Sequence, residues 1–321
     1  VKRISVLIPT YNEEDNVEPL SKAIVEQLEC FPRYDYEIVF IDNDSQDNTR
    51  NIIRALNQNN PKIKAVFNAK NFGPNNSTVY GMLQVTGDCA IVMAADFQEP
   101  VEMIPKMIEQ WEKGYKIVSC IKTTSKENQI IRFFRSCYYR LIKRFSEVEQ
   151  IEHYTGFGLY DASFLEVLRN LNDPTPFLRG LVAELGFKRI SIPYEQQLRR
   201  AGYSKFNSFF KLYDVAMLSF TSYTKVGLRL ATFFGAFIAF VSFVVAVFYL
   251  VYKLVHWNAF EVGTAPMVVG MFFLGGVQLI FLGLIGEYIL SINKRVMNRP
   301  LVVELERIGF ESESDNEKEK V

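Results

Sequence analysis

Ile4-Ser-Val-Leu-Ile8, closed by Pro9, and Tyr36-Glu-Ile-Val-Phe-Ile41, closed by Asp42, are the runs on which the fold turns. Each is a short apolar stretch ended by a turn-forming residue. Between them Val17, Leu20, Ile24 and Leu28 recur at helical spacing. The alternation continues through Ile63-Lys-Ala-Val-Phe67, Cys89-Ala-Ile-Val-Met93 and Tyr115-Lys-Ile-Val-Ser119. Asp47 or Asn48 is placed to cap the second helix, with Ile52, Ile53 and Leu56 on its inner face. Short apolar strands alternating with amphipathic helices imply an α/β domain whose parallel sheet is covered on both faces. Ligands of such sheets lie beyond the carboxyl ends of the strands. Pro9 to Glu13, Asp42 to Asp47 and Ala94 to Pro100 are therefore expected on one rim, and each turn carries acids.

Composition narrows the field. The chain has 321 residues, with 36 Lys and Arg against 36 Asp and Glu, so it lacks the basic excess that nucleic-acid partners demand. Hydrophobic residues make up 49%, which excludes disorder for most of the length. Four scattered cysteines and only two histidines, His153 and His256, leave nothing to build a zinc site, and the cysteines read as small hydrophobes in a reducing compartment. No signal peptide is expected, because the sequence opens directly into a strand.

The apolar residues are unevenly spread. Leu230 to Leu290 contains three charged side chains, Lys253, Glu261 and Glu287. Leu230 to Tyr252 and Thr264 to Gly286 are each 23 residues without a charge, more than the roughly 20 needed to cross hydrocarbon. Lys225 and Arg229 precede the first span and Lys294, Arg295 and Arg299 follow the second, so both ends are expected in the cytosol. Gly235, Gly270, Gly275, Gly276, Gly283 and Gly286 allow close helix approach, within the hairpin or across subunits, and a homo-oligomer is expected. Upstream lie a basic helix, roughly residues 128–145, and an apolar stretch from Phe209 to Phe220 with Lys205 and Lys211 nearby. That stretch fits an amphipathic helix at a membrane surface, and equally a core helix. The expected organisation is a cytosolic domain at 1–206, interfacial helix at 207–228, transmembrane hairpin at 229–292 and cytosolic tail at 293–321.

The rim turns contain no GxGxxG and no GxxxxGK[ST], so phosphate cradling by a glycine loop is not the device used. Carboxylates at strand ends suit two other tasks: accepting hydrogen bonds from a base or ribose, and holding a divalent cation on a diphosphate. Asp42 is placed for the first. Asp96, with Gln98 adding an amide oxygen, is placed for the second, although Asp96 serves equally well as an N-cap before Pro100.

Ile8-Pro-Thr-Tyr-Asn-Glu-Glu14, Ile41-Asp-Asn-Asp-Ser-Gln-Asp47, Asn71-Phe-Gly73 and Ala95-Asp-Phe-Gln98, in that order, resemble the landmarks of family 2 glycosyltransferases. With Arg199-x-x-Gly202-x-Ser204-Lys205 and two spans ending at Asn298-Arg-Pro300, the chain to about Phe310 resembles the polyisoprenyl-phosphate glycosyltransferases, relatives of dolichol-phosphate mannose synthase. The resemblance implies a glycosyltransferase A-type domain on a bacterial inner membrane, with nucleotide-sugar donor, polyisoprenyl phosphate acceptor and Mg²⁺ or Mn²⁺. It implies that Pro9, Tyr11, Glu13 and Asp42 hold the nucleotide, and that Asp96 and Gln98 bind the cation. Lys122, Arg132 and Ser136 would meet the acceptor phosphate, while Arg199, Ser204 and Lys205 close over the phosphates. Asp96, Arg132 and Arg199 would carry the catalysis.

Two positions depart from the family pattern. Ala94-Ala95-Asp96 stands where Asp-x-Asp is usual, and Thr155-Gly156-Phe157 where Gly-Asp-Phe is common. A phosphate monoester, with a second pKa near ~6, is already its own nucleophile, whereas a hydroxyl acceptor would need the missing base. Two rival readings are a processive polysaccharide synthase and a non-catalytic nucleotide-sugar-binding scaffold. The first lacks its Gln-x-x-Arg-Trp motif, since neither Trp111 nor Trp257 follows an arginine.

Overall fold

The computed structural model describes residues 1–123, 151, 154–171, 173–174, 176–197, scattered positions between 233 and 255, 264–297 and 299–310. In chain order the elements begin β1 (Arg3–Thr10), α1 (Val17–Glu29), β2 (Asp35–Asp42), α2 (Thr49–Asn59), β3 (Ile63–Asn68), α3 (Pro74–Gln84), β4 (Cys89–Val92) and α4 (Met103–Glu112). They continue with β5 (Ile117–Lys122), β6 (Tyr154–Asp161), α5 (Ala162–Leu171), α6 (Leu178–Glu184), β7 (Arg189–Tyr194), α7 (Thr264–Val296) and β8 (Glu304–Ile308).

The strands form one eight-stranded sheet in the order β7-β5-β6-β4-β1-β2-β3-β8. The expected α/β sheet is present, with β4, β1, β2 and β3 mutually parallel, but it is mixed rather than wholly parallel. β6 runs antiparallel to β4 and β5, and β8 antiparallel to β3. The reason for β6 is connectivity: β5 ends at the carboxyl edge, and the chain re-enters the sheet there, so its next strand must run the other way. β5 also begins at Ile117, two residues later than the apolar run beginning at Tyr115 suggests.

Alternation along the strands divides the core. Ile4, Val6 and Ile8 pack with Val17, Leu20, Ile24 and Leu28 of α1 and with Ile104, Met107 and Ile108 of α4. Leu7 points the other way, to Val79 and Met82 of α3 and Phe164, Leu165 and Leu168 of α5. Asn48 is the N-cap of α2 without a side-chain cap bond; the Asp47 carboxylate instead accepts from the Thr49 amide at 3.1 Å. Far from the carboxyl edge, buried Glu37 accepts from Ser5 Oγ, the Thr86 amide and Lys64 Nζ, tying β1, β2 and β3 together.

The C-terminal part holds a long helix and a surprise. α7 has 33 residues, about 50 Å at ~1.5 Å per residue. Counting only the described residues, no helix is long and apolar enough to cross a membrane. Over its whole sequence, which includes positions whose side chains fall outside the description, α7 carries no charge from Thr264 to Gly286. The expected interfacial helix (207–228) lies outside the described residues, and of the first expected span (230–252) eleven positions are described, each of them helical. Residues 304–308, within the segment expected as a tail, form β8 and complete the sheet. Arg54 to Glu306, Tyr80 to Glu304 and the Ala69 amide to the Val303 carbonyl hold it in place.

Asp161 at the end of β6 is a second anchor. It accepts from Trp111 Nε1 at 2.7 Å, Lys116 Nζ at 2.9 Å and both the amide and hydroxyl of Ser163. Burial alone would raise its pKa, but these donors hold it at about 2. A carboxyl depressed in the folded state adds stability above its unfolded pKa and loses it as pH falls toward 2. Asp161→Asn should therefore cost about 2 kcal/mol at pH 7 and flatten the loss of stability between about pH 4 and pH 2. Melting curves in detergent across that range would show both effects.

Candidate active site

Strand register brings the three acidic turns together. Thr10 pairs with Asp42, Leu7 with Val92, and Lys122 with Tyr194, so the carboxyl ends of β1, β2, β4, β5 and β7 line one edge, which β6 joins by its N-terminus. Among the described residues, three non-glycine residues have positive φ, and each lies in one of these turns: Asn12 at 53°, Asp44 at 67° and Phe97 at 58°. Asn and Asp tolerate that region, whereas for a bulky Phe it is strained.

Hydrogen bonds lock the first two turns into one unit. The Asn12 amide donates to Ser45 Oγ, Asn12 Oδ1 accepts from the Gln46 amide, and the Glu13 amide donates to Thr49 Oγ1. Glu13 is buried and its carboxylate accepts from Asn16 Nδ2 at 2.7 Å; Pro9 and Tyr11 are half-buried beside it. Asn43 then binds the third landmark. Its Nδ2 donates to Asn71 Oδ1, while its Oδ1 accepts from Asn68 Nδ2 and the Phe72 amide. An aspartate at position 43 could accept those bonds but could not donate to Asn71.

Asp42 is fully buried and held by Arg50, a residue that the sequence reading passed over. Arg50 Nε meets Asp42 Oδ2 at 2.6 Å, and its Nη2 donates to the Asn68 carbonyl at 2.7 Å and to Asp44 at 3.4 Å. The Ser45 amide also donates to Asp42 Oδ2. Asp42 Oδ1 and Asn68 Oδ1, on neighbouring strand ends, are buried acceptors with no hydrogen bond among the described residues. Such atoms call for a donor.

The third turn follows β4. Asp96, 6% exposed, accepts the Gln98 amide at 3.1 Å, an Asx turn rather than an N-cap, since α4 begins only at Met103. Asp96 and Gln98 offer hard oxygen donors, which fit Mg²⁺ or Mn²⁺ on a diphosphate better than a soft metal. The site is lean, for no group of three or more His, Cys, Asp or Glu side chains suited to a metal occurs among the described residues. Glu99 completes the turn and was not visible in sequence as anything but another surface acid. Its carboxylate accepts from the Ala94 amide at 2.7 Å and from Thr155 Oγ1 at 3.3 Å. Burial, aided by the nearby Asp96 charge, pushes its pKa up to about 7. Gly156 has φ of 109°, a conformation closed to an aspartate without strain, and so the missing acid agrees with the backbone.

Lys122 ends β5 at this edge, and the Thr123 amide donates to the Tyr194 carbonyl. Arg132, Ser136, Arg199, Ser204 and Lys205 lie outside the described residues. Both segments that contain them leave from the rim: one follows Thr123, and the other follows Gln197, whose amide donates to the Gln98 carbonyl at 3.1 Å.

Residues 5–168 match the Glycosyl transferase family 2 domain. The chain belongs to glycosyl transferase family 2. It is a glycosyltransferase, and its relatives match it along most of its length. The SfII prophage-derived bactoprenol glucosyl transferase of Shigella flexneri is 33% identical over 93% of this chain and 96% of its own length. The prophage bactoprenol glucosyl transferase homolog of Escherichia coli K12 is 31% identical over 89% and 93%. Among solved structures, mannosyl-3-phosphoglycerate synthase from Rubrobacter xylanophilus has a TM-score of 0.48 at 16% identity, covering 67% of this chain and 71% of that one.

The Arg50–Asp42 pair gives a test of the family 2 site as built here. Arg50→Ala leaves a buried carboxylate with one amide donor and should cost about 3 kcal/mol. Arg50→Lys keeps the charge but cannot reach Asp42 and the Asn68 carbonyl with a planar fork. Its loss in melting temperature should be smaller than that of Arg50→Ala, but clear.

Proposed function

We propose that this glycosyltransferase is an inverting, membrane-anchored enzyme that moves one sugar from a nucleotide-sugar, a uridine diphosphate sugar, to undecaprenyl or a related polyisoprenyl phosphate at the cytosolic face. The observation that carries this reading is the likeness, along nearly the whole of both chains, to the bactoprenol glucosyl transferases. Asp42 Oδ1 and Asn68 Oδ1 supply acceptors of the kind that a base imide N–H satisfies. Pro9, Tyr11 and Glu13 flank them on the next strand end. Asp96 and Gln98 would hold the cation, which when bound neutralises charge on the leaving diphosphate.

The proposed reaction needs little proton chemistry. An oxygen of the lipid phosphate bonds to the anomeric carbon as the bond from that carbon to the diphosphate oxygen breaks. The attacking group is already ionised at neutral pH. The absence of an acid at Ala94 and Gly156 is compatible with this chemistry and unfavourable for a hydroxyl acceptor. Rate then rests on alignment and on charge stabilisation, to which Lys122, Arg132, Ser136, Arg199, Ser204 and Lys205 contribute.

A parity argument supports the membrane arrangement. β1 to β7 and β8 belong to one sheet, so residues 194 and 304 lie on the same side of any bilayer. The chain between them crosses an even number of times. With α7 crossing once, a second crossing is required, and Leu230 to Tyr252 is the matching uncharged stretch. Arg295 near the end of α7 lies 3.8 Å from Asp173 of the sheet domain, which keeps that helix end close to the domain.

Purified protein given UDP-sugars should glycosylate polyprenyl phosphate and not the matching polyprenol, read by glycolipid mass. Equal turnover of the alcohol would overturn the acceptor assignment. Asp96→Ala should abolish transfer, whereas Ala94→Asp should be tolerated. In a cysteine-free background, a cysteine at Asn258 should be labelled from outside the cell and one at Ser314 should not.

A further inference from the structure

Glu99 has no part in the proposed reaction, yet it joins two pieces of the rim that the chain keeps far apart. Its Oε2 accepts from the Ala94 amide at 2.7 Å, closing the turn from 94 to 99 upon itself. Inside that ring sits Phe97, with φ at 58°. A bulky side chain in that region is held there only by its surroundings. Its Oε1 accepts from Thr155 Oγ1 at 3.3 Å, fastening the ring to the first residues of β6. Tyr194, near Thr155, is 4% exposed, and among the described residues its hydroxyl makes no well-formed hydrogen bond. Glu99 itself is 9% exposed and has no cation beside it among the described residues.

We propose that Glu99 is a positioning residue for the cation-binding turn, holding Asp96 and Gln98 in place by tying their backbone to β6. The inference rests on the reading of this turn as the cation and diphosphate site. Asp96 and Gln98 lie on the arc that Glu99 closes onto the Ala94 amide, and the Thr155 hydroxyl ties that arc to β6. With no acid at Ala94 or Gly156, one carboxylate and one amide must meet the cation unaided. A donor set that small depends on its outer partners, whose loss commonly lowers metal affinity by about 10- to 100-fold.

The test is calorimetric titration of UDP onto the full chain in detergent, with Mn²⁺ and with chelator. The wild type should bind UDP more tightly with Mn²⁺. Glu99→Ala should lose about tenfold or more of that Mn²⁺-dependent gain, while binding in chelator stays within about twofold. Glu99→Gln should recover most of it. Its carbonyl can accept from the Ala94 amide, and its NH₂ can donate to the Thr155 hydroxyl, which can turn to accept. Thr155→Val removes one anchor only and should lose about threefold, and it decides the matter if Glu99→Ala does not fold.

Full Mn²⁺ gain in Glu99→Ala would overturn the inference and leave the proposed function standing. So would equal losses with and without Mn²⁺, which mark a general structural role. Failure of Glu99→Gln to recover would show that charge, not position, is what Glu99 supplies. A wild type with no Mn²⁺ gain would instead sink the cation reading on which the inference rests.

Discussion

The parallel pairing of β1 with β2 on one side and β4 on the other is the constraint from which the site follows. Parallel ladders consume the backbone donors and acceptors along the strands and bring their carboxyl ends level. Thr10 thus stands beside Asp42, and the chain leaving Val92 emerges next to the chain leaving β1. The turns after β1, β2 and β3 are then hydrogen-bonded to one another, and the turn after β4 to the start of β6. Side chains such as Asn12, Asn43 and Arg50 convert proximity into a fixed arrangement. The positive φ angles of Asn12, Asp44 and Phe97 all fall in the turns of this same edge, and the strain falls on Phe97.

Much of this was legible because the first four strands announce themselves. Apolar runs ended by Pro9, Asp42 and the turn after Met93 leave little choice of element, and helical spacing fixes α1. What apolarity does not encode is direction. Tyr154 to Asp161 reads as a strand in either sense, and only the return of the chain to the same edge makes it antiparallel. β8 escaped notice because Glu304-Leu-Glu-Arg-Ile308 alternates charge with aliphatics at a sheet edge, where exposed charges are normal. Arg50 and Glu99 were passed over for a related reason. One sits among polar residues on a surface helix and the other beside a proline, and neither position reveals that Arg50 meets a buried carboxylate or that Glu99 is itself buried.

The chemistry has a consistent logic. In the proposed reaction, the acids absent at Ala94 and Gly156 would have been a metal ligand and a base. Both losses bear least on an acceptor that brings its own negative charge and its own nucleophilic oxygen. The remaining acids are buried, Asp42 against Arg50 and Asp96 within an Asx turn. Their orientation is therefore set by the fold rather than by solvent.

β8 has a consequence for biogenesis. Arg54 and Glu306, which bridge the sheet to its last strand, are 252 residues apart. During synthesis the sheet domain emerges first, and the outer edge of β3 has no strand to pair with until residue 308 leaves the ribosome. At typical elongation rates that interval lasts on the order of ten seconds. In the proposed topology it also spans insertion of both membrane helices. An open strand edge is a template for wrong pairing, so the nascent enzyme carries an aggregation-prone surface for the whole of that time.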